Sequence, residues 1–208
     1  MTSSISVALS TYNGARHLPM QLDSLLAQRG VTLDIVVVDD GSDDTTTAIL
    51  AEYAARDPRL RWSPNPRNLG PTRSFERALS LCRGDWLAPC DQDDLWHPDK
   101  LATLRTAIGS HDLAYCDSAY VDAAGHPTGQ CVSSGRRMLA GRQPLAFLFS
   151  NSVSGHASLL RRDLFEAARP FPDGVYHDWW LALCAAGRHG IVYVPEALVQ
   201  FRRHDGAF

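Results

Sequence analysis

The chain has 208 residues, 45% of them apolar and 21% charged, and its 20 Lys and Arg against 23 Asp and Glu give a formal charge of −3. That is the make-up of a globular domain with a substantial core, and it offers no basic field that would make nucleic acid the main partner. No apolar run is long enough to span a membrane, the N-terminus MTSSISVALSTYNG lacks a signal peptide's basic region, and five cysteines without a CxxC pair read as reduced thiols of a cytoplasmic protein, with loose attachment to a membrane surface left open.

In chain order, Ile5–Thr11 predicts a strand and Tyr12-Asn13-Gly14 a turn. Leu18, Leu22, Leu25 and Leu26 mark one face of a helix that tolerates Pro19 in its first turn. Asp34–Asp40 is a nearly unbroken β-branched run, as a strand buried on both faces requires. Ser42 or Asp43 is positioned to cap the next helix, whose apolar face holds Ile49, Leu50 and Tyr53. A third strand falls near Leu60–Ser63, and Pro71 opens a helix through Phe75, Ala78, Leu79 and Cys82. Asp85–Asp91 is the fourth strand, and Pro98 starts a helix through Leu101 and Leu104. Further on, Asp112–Val121 predicts a strand, Ala123–Arg142 a long loop and Pro144–Phe149 a short helix. Ser152–Leu160 reads as a strand, His177–Arg188 as a helix, and Gly190–Phe201 as a strand interrupted by Pro195.

The β-α-β-α-β-α-β order of the first half predicts a mostly parallel sheet with helices on both faces, whose ligands bind beyond the carboxyl ends of the strands. STYN, DDGS and CDQDD all end predicted strands, so three polar clusters converge on one edge. In the last of them Asp91, Asp93 and Asp94 crowd three carboxylates into four positions, which calls for solvation, hydrogen bonding or a cation. A solvated turn and a cation site both answer that need. Asp91 and Asp93, two residues apart on an extended segment, project to one side, and Mg²⁺ or Mn²⁺ takes such oxygen ligands. Neither GxGxxG nor a Walker loop is present, and the Asp clusters lack the spacing of an EF-hand.

The ordered set VALSTYNG, VVVDDGSDD, NPRNLGPTRSF, APCDQDDLW and HDWW, from about Ile5 to His204, resembles the family 2 glycosyltransferases of GT-A fold. The forms DQDDLW, HDWW and RRH are most similar to the bacterial rhamnosyltransferase-like members. The resemblance implies a Rossmann-like α/β/α domain over residues 1–208. About 1–110 would form the nucleotide-sugar half, and about 111–208 the acceptor and base half. It implies transfer of a sugar, with inversion, from a UDP- or dTDP-sugar to a glycan or lipid-linked hydroxyl in cell-surface polysaccharide synthesis.

Residue by residue, the resemblance sets Thr11, Tyr12, Asn13, Asp39 and Asp40 against the nucleotide, with Asn68, Gly70 and Arg73 near base and ribose. Ser74 departs from the Asn that many relatives carry. Asp93 would be the direct metal ligand, joined by Asp91 and by His204, with Gln92 and Gly155 also at the donor. Asp178 would be the catalytic base, ahead of Asp163, Glu166 and Asp173. Asp94, Trp179, Trp180, Arg202 and Arg203 would touch acceptor or diphosphate, and His156 fits a core or surface position as well as the donor strand. Two alternatives stand beside this reading. One is a non-catalytic nucleotide-sugar or glycan-binding module. The other is a Mg²⁺-dependent phosphohydrolase, whose DxDx[TV] motif DQDDL echoes with Leu95 in the fifth place.

Overall fold

The computed structural model describes residues 4–203. Its sheet grows from Ser4–Thr11 (β1), which pairs in parallel with Thr32–Asp39 (β2) on one side. Leu60–Pro64 (β3) lies parallel beyond β2, and Trp86–Cys90 (β4) is parallel to β1 on its other side. Ile35 and Val37 of β2 enter one core while Val36 and Val38 enter the other. An unbroken apolar run is therefore what this strand needs, because both of its faces are covered. Leu18–Leu26 (α1) and Thr46–Arg56 (α2) cover the first face with Leu18, Leu22, Leu25 and Leu50. Pro71–Leu81 (α3) covers the second with Ala78 and Leu79, and Lys100–Ala107 (α4) returns to the first with Leu101 and Leu104.

The remaining strands are Leu95–Trp96 (β5), Leu113–Val121 (β6), Pro127–Cys131 (β7), Ser158–Arg161 (β8) and Ile191–Arg202 (β9). They complete the order β3-β2-β1-β4-β8-β6-β9-β5, with β7 paired to β6. The turn to antiparallel pairing comes at β8, which runs against both β4 and β6. Pro144–Phe149 (α5), Arg162–Ala168 (α6) and His177–Gly187 (α7) join α3 on the second face through Phe147, Leu164, Phe165 and Leu181. The result is the mixed α/β, three-layer architecture expected from the sequence. No helix among the described residues is long and apolar enough to cross a membrane.

Four local expectations are corrected. Neither Ser42 nor Asp43 caps α2: Thr45 holds the cap position, and the Asp44 carboxylate accepts the Thr46 N–H at 2.8 Å. The 123–142 segment is not one loop, since β7 forms a hairpin with β6 and Val132–Ser134 makes a 3-10 turn. In the 152–160 run the strand begins only at Ser158, because Ser152 is drawn off to Tyr115 and Leu139 by its hydroxyl and Gly155–Ala157 coils into a 3-10 turn. Pro195 does not end β9. The strand slips register against β6 there, with Val194 opposite Cys116 and Ala197 opposite Asp117, which absorbs the missing N–H.

Candidate functional site

The carboxyl ends of β1, β2 and β4 are tied to one another by side chains. Gln92 accepts from Thr11 Oγ1 at 2.6 Å and from the Tyr12 N–H at 2.9 Å, and its amide nitrogen donates to the Tyr12 carbonyl. Asn13 adopts a positive φ of 49°, a conformation Asn tolerates better than most residues. Its N–H donates to Ser42 Oγ and its side-chain oxygen accepts the Asp43 N–H, so the β1 and β2 loops lock together. Asp39 turns its carboxylate into its own loop, accepting from the Gly41 and Ser42 N–H groups and from Ser42 Oγ at 2.5 Å.

Asp40 has a different task. It is buried and accepts from Asn65 Nδ2 at 2.6 Å, Leu69 N–H at 2.8 Å and Gly70 N–H at 2.9 Å. It thus anchors the loop carrying Asn68, and Gly70 at that loop's end has the positive φ of 82° that favours glycine. Ser74 Oγ shares the Asn65 amide, a contact inside the protein. Asp40→Ala would remove the acceptor shared by one buried and two partly buried donors and should cost about 2–3 kcal/mol. For a domain of this size that is a drop in Tm of ~5–10 °C, readable by calorimetry. An unchanged Tm would show the loop to be held by other means.

The DQDD segment rests on a buried base. His156 Nδ1 lies 3.3 Å from Asp91 Oδ2 and 3.4 Å from Asp94 Oδ2, and its Nε2 lies 3.1 Å from Ser118 Oγ. Beneath it the buried Lys100 donates to the His156 carbonyl at 2.7 Å and lies over the Trp96 ring. Arg202 is buried too, donating its Nε to the Asp93 carbonyl and Nη1 to the carbonyls of Asp122 and Ala123, while its N–H meets Asp94 Oδ1 at 3.2 Å. Arg202 therefore serves as a strut under the acidic loop. Arg203 is exposed, with its guanidinium over the Tyr120 ring, and His204 lies outside the described residues.

This packing separates the carboxylates. Asp91 keeps 41% of its side chain exposed; burial would raise its carboxyl, but the hydrogen bond and charge of His156 together with the charges of His177 and Lys100 hold it low. Burial would lower the His156 imidazole, but Asp94 and Asp91 outweigh it and raise it above its ordinary value. Burial lowers Lys100 to about 8, and pushes Asp94, wholly buried, up to about 7. An acid raised in this way keeps its proton longer folded than unfolded. In chelating buffer, stability should therefore fall as pH rises from 3.8 to about 7, by at most ~1.4 kcal/mol per pH unit. Asp94→Asn removes that loss, so the Tm difference, variant minus parent, should climb across this window. A flat difference would mean that the ionised carboxylate is well accommodated.

One ligand atom each from Asp91, Asp94 and His156 lies within 4.8 Å of the others, and Asp94 Oδ2 is buried with no hydrogen-bond partner. Two carboxylates and an imidazole at this spacing, with one carboxylate oxygen buried beside His156 alone, are a ligand set that a divalent cation can take. The group includes Asp94 and His156, which sequence spacing did not single out as ligands.

The same His156 turn leads to Asp178. The neighbouring Gly155 N–H reaches Asp178 Oδ2 at 3.3 Å, and Asp178 Oδ1 accepts the Trp179 N–H at 2.6 Å in the first turn of α7. A Cβ on Gly155 would fall 2.6 Å from His177 Nε2, so only glycine lets the turn approach α7 this closely. His177 stacks on Phe75 with ring centroids 3.9 Å apart, fastening this corner to α3. Trp179 and Trp180 donate their indole N–H groups to the carbonyls of Phe147 and Ala168, and so pack α7 against α5 and α6. Arg73 bonds Glu76, the Phe171 carbonyl and Asp173, bracing the loop that leads into α7. Asp163 and Glu166 are in ion pairs with Arg188 and with Arg162 and Arg169.

The sequence profile of Glycosyl transferase family 2 matches residues 6–168, from β1 through α6. The chain belongs to glycosyltransferase family 2. Among the relatives of this family 2 glycosyltransferase, the succinoglycan biosynthesis protein ExoO of Rhizobium meliloti is 40% identical over 100 residues, 48% of this chain and 28% of that protein. EpsH of Bacillus subtilis is 31% identical over 176 residues, 81% of this chain and 50% of that one. Staphylococcus aureus TarS 1–349, solved with UDP-GlcNAc, superposes with a TM-score of 0.77 at 22% identity, covering 98% of this chain and 60% of its own. The mannosyltransferase PcManGT of Pyrobaculum calidifontis, solved with GDP-Man and Mn²⁺, gives 0.71 at 20% identity, covering 97% and 57%. These similarities establish a GT-A fold for this family 2 glycosyltransferase. The chain spans about half or less of the length of the two sequence relatives.

Proposed function

We propose that this family 2 glycosyltransferase moves a sugar, with inversion, from a nucleoside diphosphate sugar to a hydroxyl of a glycan or lipid-linked acceptor. The observation that supports it best is the Gly155–His156 turn, which meets Asp178 at one residue and Asp91 at the next. A proton acceptor and an acidic diphosphate site so close together suit one in-line displacement. Asp178 takes the proton of the attacking hydroxyl, while Thr11, Tyr12, Asn13, Gln92, Asp39 and Asn68 line the nucleotide edge. Asp91 and Asp93, with His204, would hold Mg²⁺ or Mn²⁺, which neutralises the donor diphosphate. UDP- and dTDP-sugars, rhamnose among them, are the first donors to test. The named role of ExoO in succinoglycan biosynthesis favours polysaccharide assembly, and nucleotide-sugar use fits a cytoplasmic reaction. Family membership displaces the phosphohydrolase alternative.

A thermal-shift screen of UDP-, dTDP- and GDP-sugars with Mn²⁺ tests the reading. At a hundredfold excess over Kd the right donor should add about 2.7 kcal/mol. That corresponds to a rise of ~5–10 °C for a domain of this size. Free nucleoside diphosphate should then accumulate only when an acceptor is added. A shift without turnover would favour a binding module, and no shift with any donor would overturn both.

A further inference from the structure

The short helix α5 presents large apolar side chains to solvent. Leu145 is 72% exposed, Leu148 52% and Phe149 86%, and their spacing of three and four residues places them on one face. Phe147, between them, is fully buried, so the helix is fastened by one residue and shows the others by construction. Arg136 donates to the Asn151 carbonyl just past the end of α5, and Arg142 stands two residues ahead of its start. Arg136, Arg137 and Arg142 are all exposed. Residues 123–162 contain five Arg and no Lys, Asp or Glu, a formal +5 in a chain of −3, so the remainder carries −8. An apolar knob with exposed cations close by in sequence, in a 40-residue acid-free stretch of an acidic chain, is complementary to a surface that is apolar inside and anionic outside.

We propose that α5, with Arg136, Arg137 and Arg142 around it, docks this protein on a bilayer containing anionic lipid. Leu145, Leu148 and Phe149 enter the acyl boundary, and the guanidinium groups meet the lipid phosphates. A folded polar partner would leave the protruding side chains without a matching pocket, whereas a bilayer needs none. The position also suits chemistry. The Trp179 indole bonds the Phe147 carbonyl, so α5 is packed against the helix whose first turn carries Asp178. Docking there brings a lipid-linked hydroxyl to the base, a consequence that rests on the function proposed above; the docking itself does not.

The test is flotation of the full chain with vesicles of phosphatidylcholine alone or with phosphatidylglycerol added. Binding is expected to the anionic vesicles, weakened by salt and by about fivefold for each arginine removed. Arg136→Glu with Arg137→Glu should lower it well beyond tenfold, and Leu148→Asp with Phe149→Asp should abolish it. Donor-induced thermal shifts, measured without vesicles, should be the same in the parent and both variants. That result separates failure of docking from failure of the nucleotide-sugar reading and shows that the variants fold. No flotation of the parent, flotation indifferent to phosphatidylglycerol, or binding unchanged in both variants would overturn the proposal. So would a dimer in solution that the Leu148→Asp, Phe149→Asp variant dissolves, since the face would then belong to a second copy.

Discussion

Asp178→Asn is expected to lower kcat by about 10²–10⁴-fold while the protein stays folded. The separation of activity from stability follows from the contacts. Asp178 Oδ1 accepts the Trp179 N–H and Oδ2 the Gly155 N–H, so Asn can keep one acceptor and the shape of the side chain. What stability it forfeits is the attraction of a carboxylate to the start of α7, about 0.3–1 kcal/mol. In the proposed role of Asp178 as base, loss of the proton acceptor is a far larger effect, because the attacking hydroxyl must then shed its proton to water. Parallel measurements of kcat and Tm decide the matter. A folded variant transferring sugar at the parental rate would move the base elsewhere, and Asp163 and Glu166, both in ion pairs at the surface, are poor replacements.

How far the sequence could be read depended on the range of the interaction. The β2 run and the leucine spacing of α1 are local signals of two-sided and one-sided burial, and both elements formed where those signals lie. Pro195 was a local signal too, but its effect on β9 was decided by the bulge against β6, a pairing across 78 positions between Cys116 and Val194. The acidic loop shows the same limit. Crowding of Asp91, Asp93 and Asp94 was plain from spacing, whereas His156, 65 positions from Asp91, could be matched to it only in three dimensions. Lys100 carried no motif of its own, and a lysine that lies buried beneath His156 reads in sequence like any helix-start lysine. Arg202 was legible as a charge near the end of a strand. Its role under the Asp93 carbonyl depended on the full path of β9.

The second large effect concerns the metal. Asp93→Asn should lower kcat by about 10²–10³-fold, and chelation should abolish turnover until Mn²⁺ or Mg²⁺ is restored. The local structure says why this loop would tolerate the substitution as a fold. Its backbone is held by Arg202 through the Asp93 carbonyl, its first carboxylate by His156, and its third by burial beside the Arg202 N–H. All of those contacts are still available when Asn stands at 93, so the loop keeps its scaffold. Three acidic residues thus divide the work: Asp94 is closed in, Asp91 is shared with the imidazole, and Asp93 is the one that family resemblance makes the principal ligand. The comparison with Asp94→Asn makes the assignment specific. That change should show itself in the pH dependence of Tm with a cation absent, whereas Asp93→Asn should show itself in the concentration of Mn²⁺ needed for half-maximal turnover. Should Asp93→Asn retain the parental rate and metal requirement, the cation would instead belong to Asp91, Asp94 and His156, the group whose ligand atoms lie within 4.8 Å of one another.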